Sequence, residues 1–228
     1  MYTSVCYMNA ELRREEVLSI RGAELVLLPD KGIWWAAEKT LFVADLHLGK
    51  DASFRAGSIA VPCGATEMTL ERLGNLVDAH LAQRVVILGD LWHNKNARCR
   101  YSESVFAHFR ERFSGIAFDL VIGNHDLKAG PLPSEHAVGK LEDGAQLGPF
   151  RLHHDPSAVQ EPYGLVGHLH PGAQLVSRSG RGFCSACFWI REHYAVLPAF
   201  GEFTGLARIR PTTSDRVFVI VDDHIREV

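Results

Sequence analysis

The stretch FVADLHLGK, residues 42–50, places an aspartate and a histidine directly after a short apolar run. Its first three residues have the character of a buried strand, and Asp45 and His47 follow at the strand's end. Charged and titratable side chains are seldom buried without a partner. The identity of the partner of Asp45 and His47 therefore depends on what the rest of the fold brings to this strand end.

The first half of the chain alternates between strand-like and helix-like segments. The apolar runs KTLFVA, RVVIL and AFDLVI have strand length, and residues between them recur at helical spacing. We expect helices from Gly64 to His80 and from Ser102 to Phe113, with Ser102 as the N-cap of the second. The second half contains short apolar runs separated by turns and predicts mostly strands. This pattern predicts one α/β domain, residues 1–228, built as a sandwich of two sheets.

Metal-competent side chains gather at the predicted strand ends. Asp90 follows RVVIL, and the sequence Asn124-His125-Asp126 follows AFDLVI. Open α/β sheets form their sites at the carboxyl ends of strands, so neighbouring strands would bring these residues together. The second half adds two histidine-rich strand ends, LHHDP (152–156) and GHLHP (167–171).

The donor types indicate a pair of metal ions. Two carboxylates, one amide oxygen and four imidazoles are too many for one tetrahedral zinc ion. They suit two metals that share a bridging carboxylate and keep positions for water. Mixed oxygen and imidazole ligation without thiolate suits Mn²⁺, Fe or Zn²⁺. Two such ions can hold a hydroxide and clamp a phosphoryl group for in-line displacement.

The order of motifs DxH, GD, GNHD, H and GHxH resembles the calcineurin-like metallophosphoesterase superfamily over most of the chain. The resemblance implies an αββα sandwich with a dinuclear metal site at the C-terminal ends of its strands. It also implies a role for each motif residue. Those roles are Asp45, His47 and His170 on the first metal, Asn124, His154 and His168 on the second, Asp90 as the bridge, His125 as the catalytic histidine and Asp126 as the residue that orients His125.

Two adjacent histidines, His153 and His154, compete for one ligand position. Neighbouring residues on a strand point to opposite faces, so only one of them can reach the metal. The resemblance favours His154, because an acid and a proline follow it.

The flanking sequences narrow the resemblance. ADLHLGKDASFRAGSIAVPCG, LGDLWHNK and LPAFGEFTG resemble the ligase-associated DNA damage response endonucleases, the PdeM family. This implies a manganese-dependent endonuclease for single-stranded DNA that acts in bacterial DNA repair beside a DNA ligase and a helicase. A hydroxide bridging the two Mn²⁺ ions would attack phosphorus, and His125 would protonate the leaving oxygen. No covalent intermediate is expected, because the motifs contain no serine or cysteine.

Basic and aromatic residues near the motifs are candidates for DNA contacts. Lys50 and Arg55 follow the first motif, and His93 lies three residues after Asp90. We expect these three to contact phosphates that flank the scissile bond. Trp92 could stack on a base, but we expect it to be packed in the protein.

Composition sets outer limits. The net charge of −3 gives no overall attraction to nucleic acid. No apolar run has the roughly 20 residues needed to cross a bilayer, and residues 1–16 lack a signal-peptide pattern. The five scattered cysteines fit a reducing compartment, which with these features predicts a cytoplasmic protein. Cys184 and Cys187 fall in an apolar run and are expected to be core residues.

Two alternatives remain open. The chain could be a metallophosphoesterase for another substrate, such as a nucleotide or lipid-precursor pyrophosphatase or a phosphatase for small esters. A lipid enzyme would be expected to carry an apolar helical lid, and residues 127–152 have no such pattern. The chain could instead be a non-catalytic scaffold of the same fold, although such proteins lose ligands that are all present here.

Overall fold

A computed structural model describes residues 15–159, 161–177 and 180–228. The stretch on which the predicted lack of a signal peptide depends therefore lies almost entirely outside the described residues. Within the described ranges, none of the helices combines the length and the apolar character needed to cross a bilayer.

The first sheet has seven strands that lie side by side in chain order. The first four are joined antiparallel and the last four run parallel. These strands are β1 (Glu16–Ile20), β2 (Ala23–Leu27), β3 (Ile33–Trp35), β4 (Thr40–Val43), β5 (Arg84–Ile87), β6 (Ala117–Val121) and β7 (Val138–Leu141).

Helices follow the parallel strands, as crossover connections require. The α-helices among the described residues are α1 (Lys50–Ala56), α2 (Ala65–His80), α3 (Arg100–Arg112) and α4 (Asn124–Ala129). The helix predicted from Gly64 to His80 is α2, with Gly64 as its N-cap in a left-handed conformation.

The predicted N-cap of α3 is wrong by three residues. The helix begins at Arg100 after Cys99, and the buried Ser102 lies inside its first turn. The Ser102 hydroxyl donates to the carbonyl groups of Ala97 and Cys99 instead of accepting from a helix N–H. Its side chain therefore ties the helix to the preceding loop and does not cap it.

The second sheet contains nine strands, consistent with the expected change to mostly strand. It has the order β14-β11-β12-β13-β10-β9-β8, with β15 paired to β12 and β16 to β15. The strands are β8 (Ala145–Leu147), β9 (Phe150–Leu152), β10 (Gly164–Val166), β11 (Pro171–Val176), β12 (Gly182–Ile190), β13 (Tyr194–Val196), β14 (Ala207–Arg208), β15 (Arg216–Val221) and β16 (His224–Glu227).

The central strands are buried on both faces. In β4, Leu41 and Val43 join the cluster that packs under α2 and α3, whereas Phe42 joins the cluster between the two sheets. This division follows from the alternation of side chains along a strand. Phe188 and Phe218 contribute to the inter-sheet cluster from the second sheet. The predicted sandwich of two sheets is confirmed.

The LPAFG stretch joins the second half of the chain to the first sheet. The backbone N–H groups of Phe200 and Gly201 donate to the carbonyls of Ala44 and Asp45, at 2.8 and 3.0 Å. Arg72 of α2 donates to the carbonyl of Phe200 and lies 4.6 Å from the centre of its ring. These contacts hold the loop after β4 between the two halves of the chain.

The two neighbouring cysteines have different environments. Cys187 is fully buried, as expected, but Cys184 is exposed. Residues three positions apart on a strand point to opposite faces, so β12 cannot bury both on one side. The expectation of a core position is wrong for Cys184.

Candidate metal centre

The loops after β4 and β5 run side by side beyond the ends of their strands. The N–H of Asp45 donates to the carbonyl of Gly89 at 3.1 Å, and that of His47 donates to the carbonyl of Asp90 at 2.8 Å. The first two motifs therefore lie next to each other because the backbone pairing of the parallel strands continues into the loops.

Five of the seven predicted metal ligands have positive φ angles. The values are 54° for Asp45, 46° for His47, 54° for Asp90, 70° for His168 and 46° for His170. Such angles are uncommon outside glycine, although Asp and His tolerate them better than most residues. Strained backbone of this kind persists where the surrounding structure imposes it, often at functional sites.

Glycines allow the ligands to approach the loop backbone. A Cβ on Gly89, whose φ is 86°, would lie 2.0 Å from Nδ1 of His154. A Cβ on Gly123 would lie 2.2 Å from Oδ1 of Asp90. The glycines of the GD and GNHD motifs are therefore required by the side chains packed against them.

The first group of donors combines Asp45, His47 and His170. Nε2 of His47 lies 3.2 Å from Nε2 of His170. Oδ1 of Asp45 lies 3.6 Å from the same His170 nitrogen. The structure thus brings together the three residues that the resemblance assigns to the first metal.

The second group contains Asp90, His154 and His168, with Asn124 beside them. Nε2 of His154 lies 3.0 Å from Oδ1 of Asn124 and 3.0 Å from Nδ1 of His168. These are the residues that the resemblance assigns to the second metal.

Asp90 lies between the two groups. Its Oδ2 is 3.8 Å from Nε2 of His47 and 3.5 Å from Nε2 of His154. One carboxylate oxygen therefore faces a donor of each group, which is the position required of a bridging ligand.

The donor geometry fits metal ions. Two ligands about 2.1 Å from one ion, at ordinary coordination angles, lie roughly 3.0–3.4 Å apart. The nitrogen pairs His47–His170 and His154–His168 have this separation, at 3.2 and 3.0 Å. Oδ1 of Asp45 is buried and has no hydrogen-bond partner among the described residues. A buried carboxylate oxygen without a partner is costly unless a cation faces it.

The electrostatics keep the first group ready to bind a cation. Burial lowers the pKa of His47 to about 2, with further contributions from His170, Lys50, His125 and His93. The imidazole is therefore neutral at physiological pH, as a metal ligand must be.

Burial shifts the pKa of Asp90 in the opposite direction to that of His47. Its pKa is raised above the ordinary value, chiefly by burial, while His154 and the N–H of His125 counteract the shift. A buried carboxylate whose charge is unfavourable without a partner gains from a bound cation.

The structure places His154, and not His153, among the candidate ligands. Nδ1 of His154 donates to the carbonyl of Leu88 at 2.9 Å, which leaves Nε2 facing Asn124 and His168. A hydrogen bond from the other ring nitrogen is the usual support for a ligating histidine. His153 instead pairs with Asp143, at 3.1 Å.

His125 lies beside both groups. Its backbone N–H donates to Oδ1 of Asp90 at 2.8 Å, and its Nδ1 donates to the carbonyl of His93. Because Nδ1 carries the proton in that bond, Nε2 is the nitrogen left for chemistry. The ring stacks on that of His93, with centroids 5.0 Å apart, and lies edge-on to His47 at 4.8 Å. The predicted residue His93 is thus part of the site, and burial lowers its pKa to about 4.

Asp126, which the resemblance assigns to orienting His125, bonds to backbone N–H groups and makes no hydrogen bond to the His125 ring among the described residues. Oδ2 of Asp126 accepts from the N–H groups of Asp90 and Gly123 at 2.8 and 3.0 Å, and Oδ1 accepts from Trp92 at 3.1 Å. Burial raises the pKa of Asp126 to about 6 even though these three bonds favour the carboxylate. Asp126 therefore fixes the backbone that carries Asp90, and the carbonyl of His93 orients His125.

The two basic residues predicted to contact phosphates have partners of their own. Arg55 forms an ion pair with Asp51 at 3.1 Å and donates to the carbonyl of Pro62 at 3.4 Å. Lys50 lies 5.9 Å from the centre of the Phe54 ring. Burial lowers the pKa of Lys50, and the charge of Asp45 acts against that shift.

The packing role of Arg98 was not predicted from its position in the sequence. Its guanidinium donates to the carbonyls of Ala129, Gly130 and Pro131 at the end of α4, at 3.3, 3.2 and 2.7 Å. Arg98 also lies 5.9 Å from the ring of Trp92, which is buried as expected. It secures the helix that begins with the GNHD motif, across a separation of about thirty residues that no local pattern reveals.

A crystal structure of the nuclease MPE from Pseudomonas putida matches the chain with a TM-score of 0.82. The two proteins share 34% sequence identity, and the match covers 94% of this chain and 100% of the other. This chain belongs to the family of that nuclease. No protein-family model and no curated protein matches it. The expected α/β sandwich of the metallophosphoesterase type is confirmed, whereas membership of the ligase-associated PdeM family stays a prediction.

Proposed function

We propose that this protein is a metal-dependent phosphodiesterase that cuts single-stranded DNA internally. The observation that carries the proposal is the pair of donor groups that share Asp90, with His125 beside them. Kinship with a nuclease supports a nucleic acid as the substrate.

Two divalent cations fit the donor set, and we propose Mn²⁺, with Fe or Zn²⁺ as alternatives. Asp45, His47 and His170 would hold one ion, and Asn124, His154 and His168 the other, with Asp90 shared. When bound, the ions would supply an activated water and neutralise charge on the phosphoryl oxygens.

His125 supplies the proton in this mechanism. Because Nδ1 keeps its own proton on the His93 carbonyl, His125 would act as the imidazolium, whose Nε2–H can be donated to the sugar oxygen that leaves phosphorus. The ring is then left neutral with its remaining proton on Nδ1. The N–H bond to Asp90 fixes the His125 backbone against the shared carboxylate. The two donor groups as described consist of aspartate, asparagine and histidine residues, so we propose direct displacement by water.

Lys50, Arg55 and His93 remain the proposed phosphate contacts. His93 is supported by its place against His125 and His47. Arg55 would have to exchange Asp51 for a phosphate. Its own side chain is one-third exposed, but Asp51 is 5% exposed, so the exchange carries the cost of leaving a buried carboxylate without its partner.

We further propose that the enzyme acts in bacterial DNA repair, in the cytoplasm, together with a DNA ligase and a helicase. The flanking sequence resemblance supports this setting. A lipid-precursor enzyme is disfavoured, because residues 130–152, all of which the structure describes, form one short 3₁₀ turn and β-strands and no helical lid.

The test is cleavage of circular single-stranded DNA by metal-stripped protein that is resupplied with Mn²⁺. Duplex DNA and a small phosphomonoester are assayed in parallel. We expect the circle to be linearised and then degraded, with little action on duplex. His125→Ala should lose about 10²- to 10⁴-fold in turnover while it still binds Mn²⁺.

The matched control is His108→Ala, which removes an exposed histidine of α3 that bonds only to its own helix. Its cleavage rate should equal that of the unaltered protein. Intact circles together with rapid monoester hydrolysis would keep the metal centre and overturn the nuclease proposal.

A further inference from the structure

Phe203 is an exposed aromatic residue in a segment that is otherwise buried where it meets the site. The preceding residues Leu197 and Phe200 are fully buried, whereas Phe203 is 49% exposed. It belongs to the EFT part of the LPAFGEFTG stretch, for which the metal centre and the proposed chemistry have no use. About half of Phe203 therefore remains in water and is available for contact with a ligand.

The loop that carries Phe203 is anchored at both ends on predicted metal ligands. The N–H of Gly201 donates to the carbonyl of Asp45 at 3.0 Å, and the N–H of Ala207 donates to the carbonyl of His170 at 2.9 Å. Asp45 and His170 belong to the same donor group. Because consecutive Cα atoms are about 3.8 Å apart, the Cα of Phe203 lies within about 7.6 Å of that of Gly201. Phe203 therefore lies in a short loop whose two ends are fixed next to the backbone of the first donor group.

The backbone of the loop holds Phe203 in an uncommon conformation. Its φ is 56°, which is an outlier for a bulky residue and persists only where neighbours impose it. The Thr204 hydroxyl closes the turn by donating to the carbonyl of Gly201 at 2.9 Å. Arg72 and Thr69 of α2 hold the adjacent Glu202, whose N–H donates to Thr69 at 3.2 Å. The loop is thus built to present Phe203 to solvent at a fixed place.

Leu206, the other exposed apolar residue of this loop, has a packing role. It covers Gly172 of β11, where an added Cβ would lie 2.9 Å from the Cβ of Leu206. Leu206 therefore closes the loop onto β11.

We propose that Phe203 is a stacking platform for an unpaired nucleobase next to the scissile phosphate, an inference that rests on the proposed function. Aromatic rings bind the bases of single strands without regard to sequence, because every base offers a flat face. Bases in a duplex are stacked on their neighbours and cannot reach such a ring. Phe203 would thereby contribute to selection of single-stranded DNA over duplex.

The experiment compares steady-state cleavage of a single-stranded oligonucleotide by the unaltered protein and by Phe203→Ala, Phe203→Leu and Phe203→Trp. Phe203→Ala and Phe203→Leu should raise KM about tenfold with little change in kcat. Phe203→Trp should keep KM close to that of the unaltered protein. Rescue by an aromatic ring but not by leucine distinguishes stacking from general apolar contact. Phe183→Ala is the control, since Phe183 is an exposed aromatic of β12 that pairs with Leu175, well along β11 from His170.

A second substrate replaces the bases around the cleavage site by abasic residues. If Phe203 stacks on a base, kcat/KM of the unaltered protein should be about tenfold lower on this substrate than on the normal strand. The kcat/KM of Phe203→Ala should be the same on both substrates. Equal losses for Phe203→Ala on normal and abasic strands would mean that the loop only supports the metal ligands, and would overturn the stacking proposal.

The two proposals fail in different ways. If the unaltered protein cleaves single strands and Phe203→Ala has the same KM, the stacking role is wrong and the nuclease proposal stands. If the unaltered protein cleaves no DNA but hydrolyses a small phosphoester, both are wrong.

Discussion

The two sheets contribute to the candidate metal centre in different ways. Asp45 and Asp90 follow buried parallel strands of the first sheet, and both carboxylates are nearly inaccessible, at 0% and 2% exposure. His168 and His170 of the second sheet are more open, with side chains 35% and 20% exposed. The carboxylates form the buried base of the site, which is continuous with the core, and the two histidines form its more exposed side.

Hydrogen bonds attach the second half of the chain to the buried base of the site. The N–H of His168 donates to Oδ2 of Asp45 at 2.9 Å, and His154 donates to the carbonyl of Leu88 at 2.9 Å. Asp45 therefore serves both as a predicted ligand and as an anchor for a loop of the other sheet. The site is therefore complete only when the two sheets are packed together.

Removing the shared carboxylate should have the largest effect. Asp90→Ala deletes the oxygen that faces both donor groups and the acceptor of the His125 N–H. We expect the protein to lose bound Mn²⁺ at both positions and to lose at least about 10³-fold in turnover. Metal content after dialysis and the cleavage rate are the measurements.

The control for Asp90→Ala is Asp119→Ala, which removes a carboxylate of β6 that pairs with Arg84 at 2.7 Å. Asp119→Ala should keep its metal and its turnover. Retention of two Mn²⁺ ions by Asp90→Ala would show that Asp90 does not bridge.

The predictability of the fold differs between the two sheets for a physical reason. β4 and β5 are almost entirely buried, and β6 is buried except at Ala117 and Asp119. All three end in ligand residues, so apolar runs followed by Asp45, Asp90 and Asn124 identify them from local sequence. The second sheet pairs distant and short strands, and its order cannot be obtained from periodicity alone. Its contribution to the site was accessible only through the histidine motifs and their resemblance.

Contacts that depend on tertiary packing could not be predicted from the sequence. The motif spacing does not reveal that Asp126 accepts from backbone groups of the neighbouring loop, or that the His93 carbonyl orients His125. Arg98 acts on carbonyls about thirty residues away. Each of these contacts depends on how loops meet after the sheets have formed, and neither residue type nor local spacing encodes that.

A clash at the junction of the sheets should give the second largest effect. Gly89→Ala would place a methyl group against the His154 ring and would force a residue with a side chain to a φ of 86°. We expect about a 100-fold loss of turnover and weaker binding of the second Mn²⁺ ion. The free energy of unfolding should fall by about 2–4 kcal/mol.

Gly22→Ala separates strain from clash. Gly22 has a φ of 81°, but its added Cβ would meet nothing within 4 Å. This variant should lose about 1–2 kcal/mol of stability and no activity. Equal behaviour of the two variants in metal binding would show that Gly89 does not support His154.

A smaller effect is expected from a change at Asp126, which supports the backbone of the loop that carries Asp90. Asp126→Asn keeps the shape of the side chain but turns one of its three accepting contacts into a clash of donors. We expect about a tenfold loss in kcat. The alkaline limb of the kcat–pH profile, which reports loss of the proton that His125 donates, should stay in place, because the carboxylate does not bond to the His125 ring. An alkaline limb that moved to lower pH would mean that the Asp126 charge acts on His125 directly and would support the orienting role predicted from the sequence.

The smallest effect concerns the rim of the site. Arg55 and Arg112 are both held by a carboxylate, Asp51 for the first at 3.1 Å and Asp78 for the second at 2.6 Å, but only Arg55 follows the first metal motif. If Arg55 contacts a phosphate, Arg55→Ala should weaken single-strand binding a few-fold and reduce the slope of log K against log salt concentration by about 0.7. Arg112→Ala changes net charge equally, so long-range attraction alone would alter both variants alike. A reduced slope for Arg55→Ala alone therefore identifies a local phosphate contact, and equal slopes remove Arg55 from the proposed binding surface.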